Sequence, residues 1–221
     1  AQHVVAVEVD RRLLAILRER LASCSNVDIV CGDILTMDIA TLLQGSAYKV
    51  VANIPYYITS AVLRHLLEAR IRPQLVVLTV QREVAQRIVA KPDEMSLLAI
   101  SVQFYGRPSI VARVPANAFY PVPKVDSAVV RIDPYAQLPL PDDEIGPFFD
   151  VVRAGFAQRR KQVRNALIRG LHLPEACIVQ ALAAAGIDGQ RRAETLRISE
   201  WVALYKAVRV ENSEYRAKLP G

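Results

Sequence analysis

The sequence predicts an α/β fold in which a mostly parallel sheet ends in an antiparallel hairpin and is followed by a small all-α domain. Three observations predict it. Continuous apolar runs alternate with helix-period segments as far as Val80, the pattern of parallel strands buried on both faces. Two β-rich runs then lie close together with only a Pro-rich loop between them, so they should pair antiparallel. Beyond Phe148 only helical periodicity remains.

In chain order, His3 to Val9 is β-branched and apolar and reads as a strand closing on Glu8 and Asp10. Leu13, Leu14, Leu17 and Leu21 then recur at helical spacing between Arg11 and Ala22. Val27 to Cys31 is a second strand, stopped by Gly32-Asp33, and a short helix spans Ile39 to Leu43. Tyr48 to Ala52 is the third strand, and a helix follows from Thr59 to Ala69. Leu75 to Val80 is the fourth, followed by helices from Arg82 and through Leu97 to Phe104. The hairpin strands are Ser109 to Val114 and Ser127 to Ile132, joined by Pro115 to Lys124. Parallel-type strands capped by such a hairpin suggest the methyltransferase version of the doubly wound, Rossmann-like fold.

Pro134 to Pro147 carries four prolines and three consecutive acids, so residues 135–147 read as a linker. Helices are expected over Phe148 to Arg169, Pro174 to Ala185 and Ile198 to Val208, with residues 211–221 a frayed tail. The expected division is therefore a catalytic part at 1–134 and a helical part at 148–210.

The 221 residues are 52% hydrophobic, enough for one large core and a smaller one, and no apolar run approaches the length of a membrane span. No cleavable signal pattern opens the sequence, which points to the cytoplasm. Cys24, Cys31 and Cys177 are odd in number and lack metal-ligand spacing, so reduced and mostly buried thiols are expected. The three histidines are scattered, giving neither a metal site nor a Ser/His/Asp triad.

The net charge of +6 hints at a polyanionic partner, and its distribution says more. Arg153, Arg159, Arg160, Lys161, Arg164 and Arg169 crowd into one stretch opposed only by Asp150 at its start. On a predicted helix running through Gly155 to Asn165, this charge is either a solvated face or a footprint for a phosphate backbone. Few acids are available to pair with it, which favours the footprint, and a clamp on structured RNA would suit it.

Asn53-Ile54-Pro55-Tyr56 follows the third strand, where open α/β sheets bind ligands. The Asn53 side chain and the Ile54 carbonyl can accept hydrogen bonds from an exocyclic amine, and Pro55 biases Ile54 toward extended backbone. Tyr56 offers a face for a base to stack on. The plain alternative is a strand running into a Pro-containing turn. Glu8 ends the first strand, where an acid can accept both ribose hydroxyls of a nucleoside; it is equally placed to favour a helix N-terminus, with Asp10 as the cap. Asp33 ends the second strand, as an acceptor for an adenine amine or as a Gly-Asp turn. Polar groups ending three successive strands point toward one crevice. Phe119, in a loop stiffened by Pro121 and Pro123, is a core anchor or a ring presented to a base.

These segments together resemble the bacterial small-subunit (16S) rRNA adenine-N6,N6-dimethyltransferases, the family linked to kasugamycin sensitivity. The resemblance runs through Val7-Glu8-Val9-Asp10, Gly32-Asp33-Ile34-Leu35, Asn53-Ile54-Pro55-Tyr56-Tyr57-Ile58-Thr59-Ser60 and Val80-Gln81-Arg82-Glu83-Val84-Ala85. It continues through Phe119-Tyr120-Pro121-Val122-Pro123-Lys124-Val125-Asp126-Ser127-Ala128, Phe156-Ala157-Gln158-Arg159-Arg160-Lys161 and Arg192-Ala193-Glu194-Thr195-Leu196. It implies S-adenosylmethionine as methyl donor and two adjacent adenosines in the terminal hairpin loop of small-subunit rRNA, within the pre-30S particle, as target. Glu8, beside Val9, would hold the cofactor ribose, and Asp33 with the Ile34 backbone its adenine. Asn53 and the Ile54 carbonyl, shaped by Pro55, would hold the target N6, with Tyr56 stacking and Phe119 packing near the base. Lys124, Arg153, Arg159, Arg160, Lys161 and Arg164 would meet the RNA, and a monomer is expected.

The family's first strand and Gly-rich loop are absent from this sequence. The missing strand would lie between those ending at Glu8 and Asn53, and each backbone hydrogen bond left unmade there costs roughly 1–3 kcal/mol. Residues 1–221 are therefore not expected to fold natively alone, and an upstream segment is expected in the natural protein. The loop from Lys91 to Leu98 also looks shortened and lacks the family's Tyr-Gly. The rival readings are a large-subunit adenine methyltransferase of the erythromycin-resistance type and a non-catalytic ribosome assembly factor.

Overall fold

The structure is a computed structural model describing residues 1–158 and 160–217. Strand β1 (Val4–Glu8) leads into helix α1 (Arg11–Arg20), capped by the Asp10 side chain, which accepts from the Arg12 N–H. Strand β2 (Val27–Cys31) pairs parallel with β1, with Glu8 opposite Cys31. Helix α2 (Ile39–Leu42) is capped in the same way by Asp38. Strand β3 (Lys49–Asn53) ends at a 3-10 turn, Tyr56–Ile58, that runs into α3 (Thr59–Leu67). Strand β4 (Leu75–Gln81) and helices α4 (Arg82–Ile88) and α5 (Leu97–Gln103) follow. The hairpin is β5 (Gly106–Val114) and β6 (Ser127–Pro134), with a register shift between Ile110 and Ala112.

The strands form two sheets. One holds β1 and β2; the other has the order β3-β4-β6-β5, with β3 parallel to β4 and β6 antiparallel to both its neighbours. Among the described residues β1 pairs only with β2 and β3 only with β4, so no strand pairing joins the two sheets. Central β4 alternates: Val76, Leu78 and Val80 are fully buried on one face, as a covered strand requires.

The core runs without a break from this sheet into the helices. Phe104 and Tyr105, between α5 and β5, meet Phe148 and Phe149 of α6 (Asp142–Phe156), with the Phe104 and Phe148 rings 4.7 Å apart and stacked. Arg72 strengthens the junction: its Nη2 donates to Asp142 Oδ1 at 2.6 Å, and its guanidinium lies over the Tyr105 ring. Burial pushes the Tyr105 phenol well above its ordinary pKa.

Three helical expectations are corrected. The acids Asp142 to Glu144, expected in a linker, form the first turn of α6, where the macrodipole favours them. The helix expected to run on to Arg169 breaks after Phe156 and resumes as α7 (Val163–Leu171), so the basic segment is a turn. Gln162 bridges to Arg192, and the Val163 N–H donates to Arg191 O at 2.7 Å; these tertiary bonds take over from the intrahelical ones. After α8 (Glu175–Ala184), α9 spans Ile198–Ala217, through most of the segment expected to fray. Cys24, in the turn after α1, and Cys31, at the end of β2, are exposed rather than buried; Cys177 is buried.

Candidate active site

The predicted site residues fall into three groups. Glu8 and Asp33 come together at the adjoining ends of β1 and β2, where the Gly32 N–H donates to Glu8 O at 3.0 Å. Each acid uses one oxygen to hold its own turn. Glu8 Oε1 accepts from the Asp10 N–H at 2.8 Å, and Asp33 Oδ1 from the Leu35 N–H at 2.9 Å. Among the described residues the second oxygen of each makes no hydrogen bond. Val9 is exposed beside Glu8 and Ile34 half-buried beside Asp33. Two adjacent carboxylates with a spare acceptor each fit the ribose diol and the adenine amine of a nucleoside.

The second group is built on β3. Asn53 is exposed at its end, opposite Thr79 of β4. Among the described residues neither the Asn53 side chain nor the Ile54 carbonyl makes a hydrogen bond, whereas the carbonyls that follow are consumed. The Ile58 N–H donates to Pro55 O at 3.1 Å, and Thr59 Oγ1 to Tyr56 O at 3.0 Å. The turn thus satisfies itself and leaves two acceptors for a ligand. Tyr56 is half-buried, with its Oη 2.6 Å from Ser127 Oγ. Phe119 is half-buried in the loop between β5 and β6, just past a 3-10 turn at Ala116–Ala118.

No hydrogen bond among the described residues joins Glu8 or Asp33 to Asn53. One tie between the two halves runs through His65 of α3, whose Nε2 lies 2.9 Å from the carbonyl oxygen of Met37 in the segment after β2.

The third group is basic. Lys124 is exposed in the loop before β6, and Arg160 and Lys161 are exposed in the turn between α6 and α7. Arg153 is exposed but pairs with Asp150 at 2.6 Å, and Arg164 pairs with Glu175 of α8, an acid the sequence did not bring near. Among the described residues Arg160 and Lys161 have no ion-pair partner. Arg159 lies outside the described residues.

Four residues of this site carried no assigned role in the sequence: Thr59, Arg82, Asp126 and Ser127. Thr59 and Ser127 are the buried polar side chains among the described residues, and a polar residue at an otherwise apolar core position is the signal that singles them out. The Arg192 to Leu196 motif has a structural task. Glu194 O accepts from the N–H groups of Asp93 and Met95, which docks the loop before α5 onto the helical part.

Comparison with known proteins decides the family. The family model described as ribosomal RNA adenine dimethylase matches residues 1–209. The chain belongs to that family. It is a methyltransferase enzyme with a Rossmann-like fold. Within the family it is 48% identical over 206 residues to ribosomal RNA small subunit methyltransferase A of Dehalococcoides mccartyi, covering 92% of this chain and 70% of that protein. It is 42% identical over 216 residues to the protein of the same name from Moorella thermoacetica, covering 93% and 75%. Among solved structures, the 23S rRNA methyltransferase ErmE superposes with a TM-score of 0.72 at 27% identity, covering 95% of this chain and 83% of that one. A dimethyladenosine transferase from Plasmodium falciparum shares the fold with a TM-score of 0.81 at 22% identity, over 96% and 84% of the two chains.

Proposed function

We propose that this dimethylase transfers methyl groups to the N6 nitrogens of two adjacent adenosines in the 3'-terminal hairpin loop of small-subunit rRNA, dimethylating each during ribosome assembly in the cytoplasm. The observation that carries the reading is the pair of open acceptors, the Asn53 side chain and the Ile54 carbonyl, on a turn that otherwise satisfies itself. The greater similarity to relatives named for the small subunit, 48% identity against 27% for the 23S enzyme, supports the choice of substrate.

S-adenosylmethionine, when bound, supplies an electrophilic methyl group on a sulfonium. Glu8 would hold its ribose, beside Val9, and Asp33 with the Ile34 backbone its adenine. Asn53 and Ile54 O would accept from the two N–H groups of the target amine, whose lone pair is otherwise delocalised into the purine. Acceptors placed out of the ring plane favour a pyramidal nitrogen with its lone pair aimed at the methyl, and positioning of this kind contributes several kcal/mol toward a barrier. Tyr56 stacks on the base and Phe119 packs near it. After transfer the alkylated amine is acidic and releases its proton to water, so no general base is required. The monomethyl product keeps one N–H, so one acceptor is dispensable in the second round.

The expected division of labour places catalysis in residues 1–134 and RNA binding in the helical part at 148–210, acting as a monomer on the pre-30S particle. Lys124, Arg153, Arg159, Arg160, Lys161 and Arg164 supply the phosphate contacts, Arg160 and Lys161 being the pair without competing acids among the described residues. The test is methyl transfer from labelled S-adenosylmethionine to unmethylated small-subunit particles and, separately, to large-subunit RNA. Label in dimethyladenosine of the small subunit alone is expected. Label in the large subunit, or particle binding without label, would replace this reading with one of its rivals. Replacing Arg160 and Lys161 with Ala should flatten the logarithmic salt dependence of RNA binding by about 0.7 for each phosphate no longer neutralised. An unchanged slope would remove the turn from the footprint.

A further inference from the structure

The two aromatic segments of the base site are fastened to consecutive residues entering β6. Ser127 is fully buried and lies opposite Gln81 of β4 on one side and Val114 of β5 on the other. Backbone pairing on both sides leaves it little freedom to move. A hydroxyl in that position needs a partner, and the Tyr56 phenol supplies it at 2.6 Å. At its other end Tyr56 is held by buried Thr59, whose Oγ1 donates to its carbonyl. The residue is therefore fixed at the backbone and at the tip of its ring.

Asp126 does the same for the segment bearing Phe119. Its Oδ1 accepts from the Ala116 N–H at 3.1 Å, and the Phe119 N–H in turn donates to Ala116 O at 3.2 Å. Its Oδ2 and its carbonyl accept from Arg82, at 3.1 and 3.0 Å, which ties the loop to the start of α4. We propose that Asp126 and Ser127 are positioning residues for methyl transfer, setting the Tyr56 ring and the Phe119 loop in fixed relation across the target base.

This rests on the base-site reading above and adds residues that touch neither base nor cofactor. A stacking platform that swings does not abolish binding, since phosphate contacts persist; it blurs where N6 sits. The second transfer suffers more, because the monomethyl amine has one N–H left to register its position. Loss of positioning should therefore appear in kcat and in the ratio of products.

The experiment uses the full-length protein and unmethylated small-subunit particles, with mono- and dimethyladenosine quantified separately. Ser127→Ala, Tyr56→Phe and Asp126→Ala should each lower kcat about tenfold while KM for the particle stays within about twofold, and each should raise the monomethyl fraction. The double variant Ser127→Ala/Tyr56→Phe should be no slower than the slower single, because both remove one bond. Additive losses, or unchanged turnover and product ratio in variants with normal melting, would overturn the proposal. So would a slow Tyr56→Phe beside a normal Ser127→Ala, which would place the phenol on the substrate instead. Should Ser127→Ala or Asp126→Ala unfold, Tyr56→Phe keeps the ring at a half-buried site and decides the matter from its own kcat and product ratio. Asn53→Ala separates the two levels. Normal turnover there would refute the base-site reading itself, whereas an inactive Asn53→Ala beside normal Ser127 and Tyr56 variants would refute this inference alone.

Discussion

The β1-α1-β2 unit and the four-stranded sheet carry the two halves of the proposed active site, and they are packed differently. No residue of β1 or β2 is buried, and α1 buries only Leu14 while Ile16 is about half exposed. In the larger sheet β4 buries every second residue, and Ser127, Ala128, Val130 and Ile132 of β6 are buried with it. The acids that would hold the cofactor therefore sit on the weakly packed unit, whereas Tyr56 and the Phe119 loop are tied to buried β6; Asn53 and Ile54 lie at the end of β3, which like β1 and β2 has no buried residue. Apolar burial is the main source of local stability, so the two halves should differ in how readily they open. Binding of the methyl donor would then order its own half of the site, against rings already held at β6.

Hydrogen exchange gives the largest expected effect. Amides of β1 and β2 should exchange orders of magnitude faster than those of β4 and β6, with the β2 amides slowing when S-adenosylmethionine is added to the full-length protein. Equal protection in the two sheets would dissolve the contrast. Single substitutions sharpen it. Gly155 of α6 lies against Trp201 of α9, and a Cβ there would come within 2.4 Å of the indole, so Gly155→Ala should cost about 1–3 kcal/mol and lower the melting temperature. Ile16→Ala on the exposed face of α1 should stay within about 0.5 kcal/mol. A reversed order of these two would mean that the burial pattern misjudges where the stability lies.

The same contrast explains what was legible in the sequence. Apolar runs announce strands whether or not they end up covered, so β1 and β3 were readable although Val4 and Val51 are exposed. The hairpin was readable because no helix fits between Val114 and Ser127. Asn53, Glu8 and Asp33 were readable because each sits where a strand stops. The break after Phe156 was not, since no proline marks it and its cause is a bond to Arg191, far along the chain. Nor was the start of α6, where prolines at 139, 141 and 147 mimic a linker around acids that favour a helix N-terminus. The tail looks frayed in sequence because its apolar period fades, whereas Glu211 to Ala217 continues α9 in residues mostly suited to a helix. Ser127 and Tyr56 are 71 residues apart, and no local pattern pairs a serine in an apolar strand with a particular tyrosine.

The smallest expected effect concerns pH and the helical end. Glu200 of α9 accepts from Arg191 and from the Arg197 N–H at 2.7 Å, and the Arg191 hydrogen bond above all holds its carboxyl below the ordinary value of 4.5. The folded chain thus binds this proton less readily than the unfolded one. The contribution is present in full above the ordinary glutamate range and fades as pH falls through the lowered folded value. Melting temperature should therefore fall more steeply below about pH 4.5 in the native protein than in Glu200→Gln, which lacks the titrating group. Parallel curves would show that the Arg191 pair contributes nothing to folding. Since Arg191 O also receives the Val163 N–H that restarts the chain as α7, the loss of this pair should be accompanied by faster exchange in the basic turn. The weakly packed β1-α1-β2 unit should not respond to that titration, because among the described residues the hydrogen bonds and ion pairs of Glu200 are to Arg191 and Arg197.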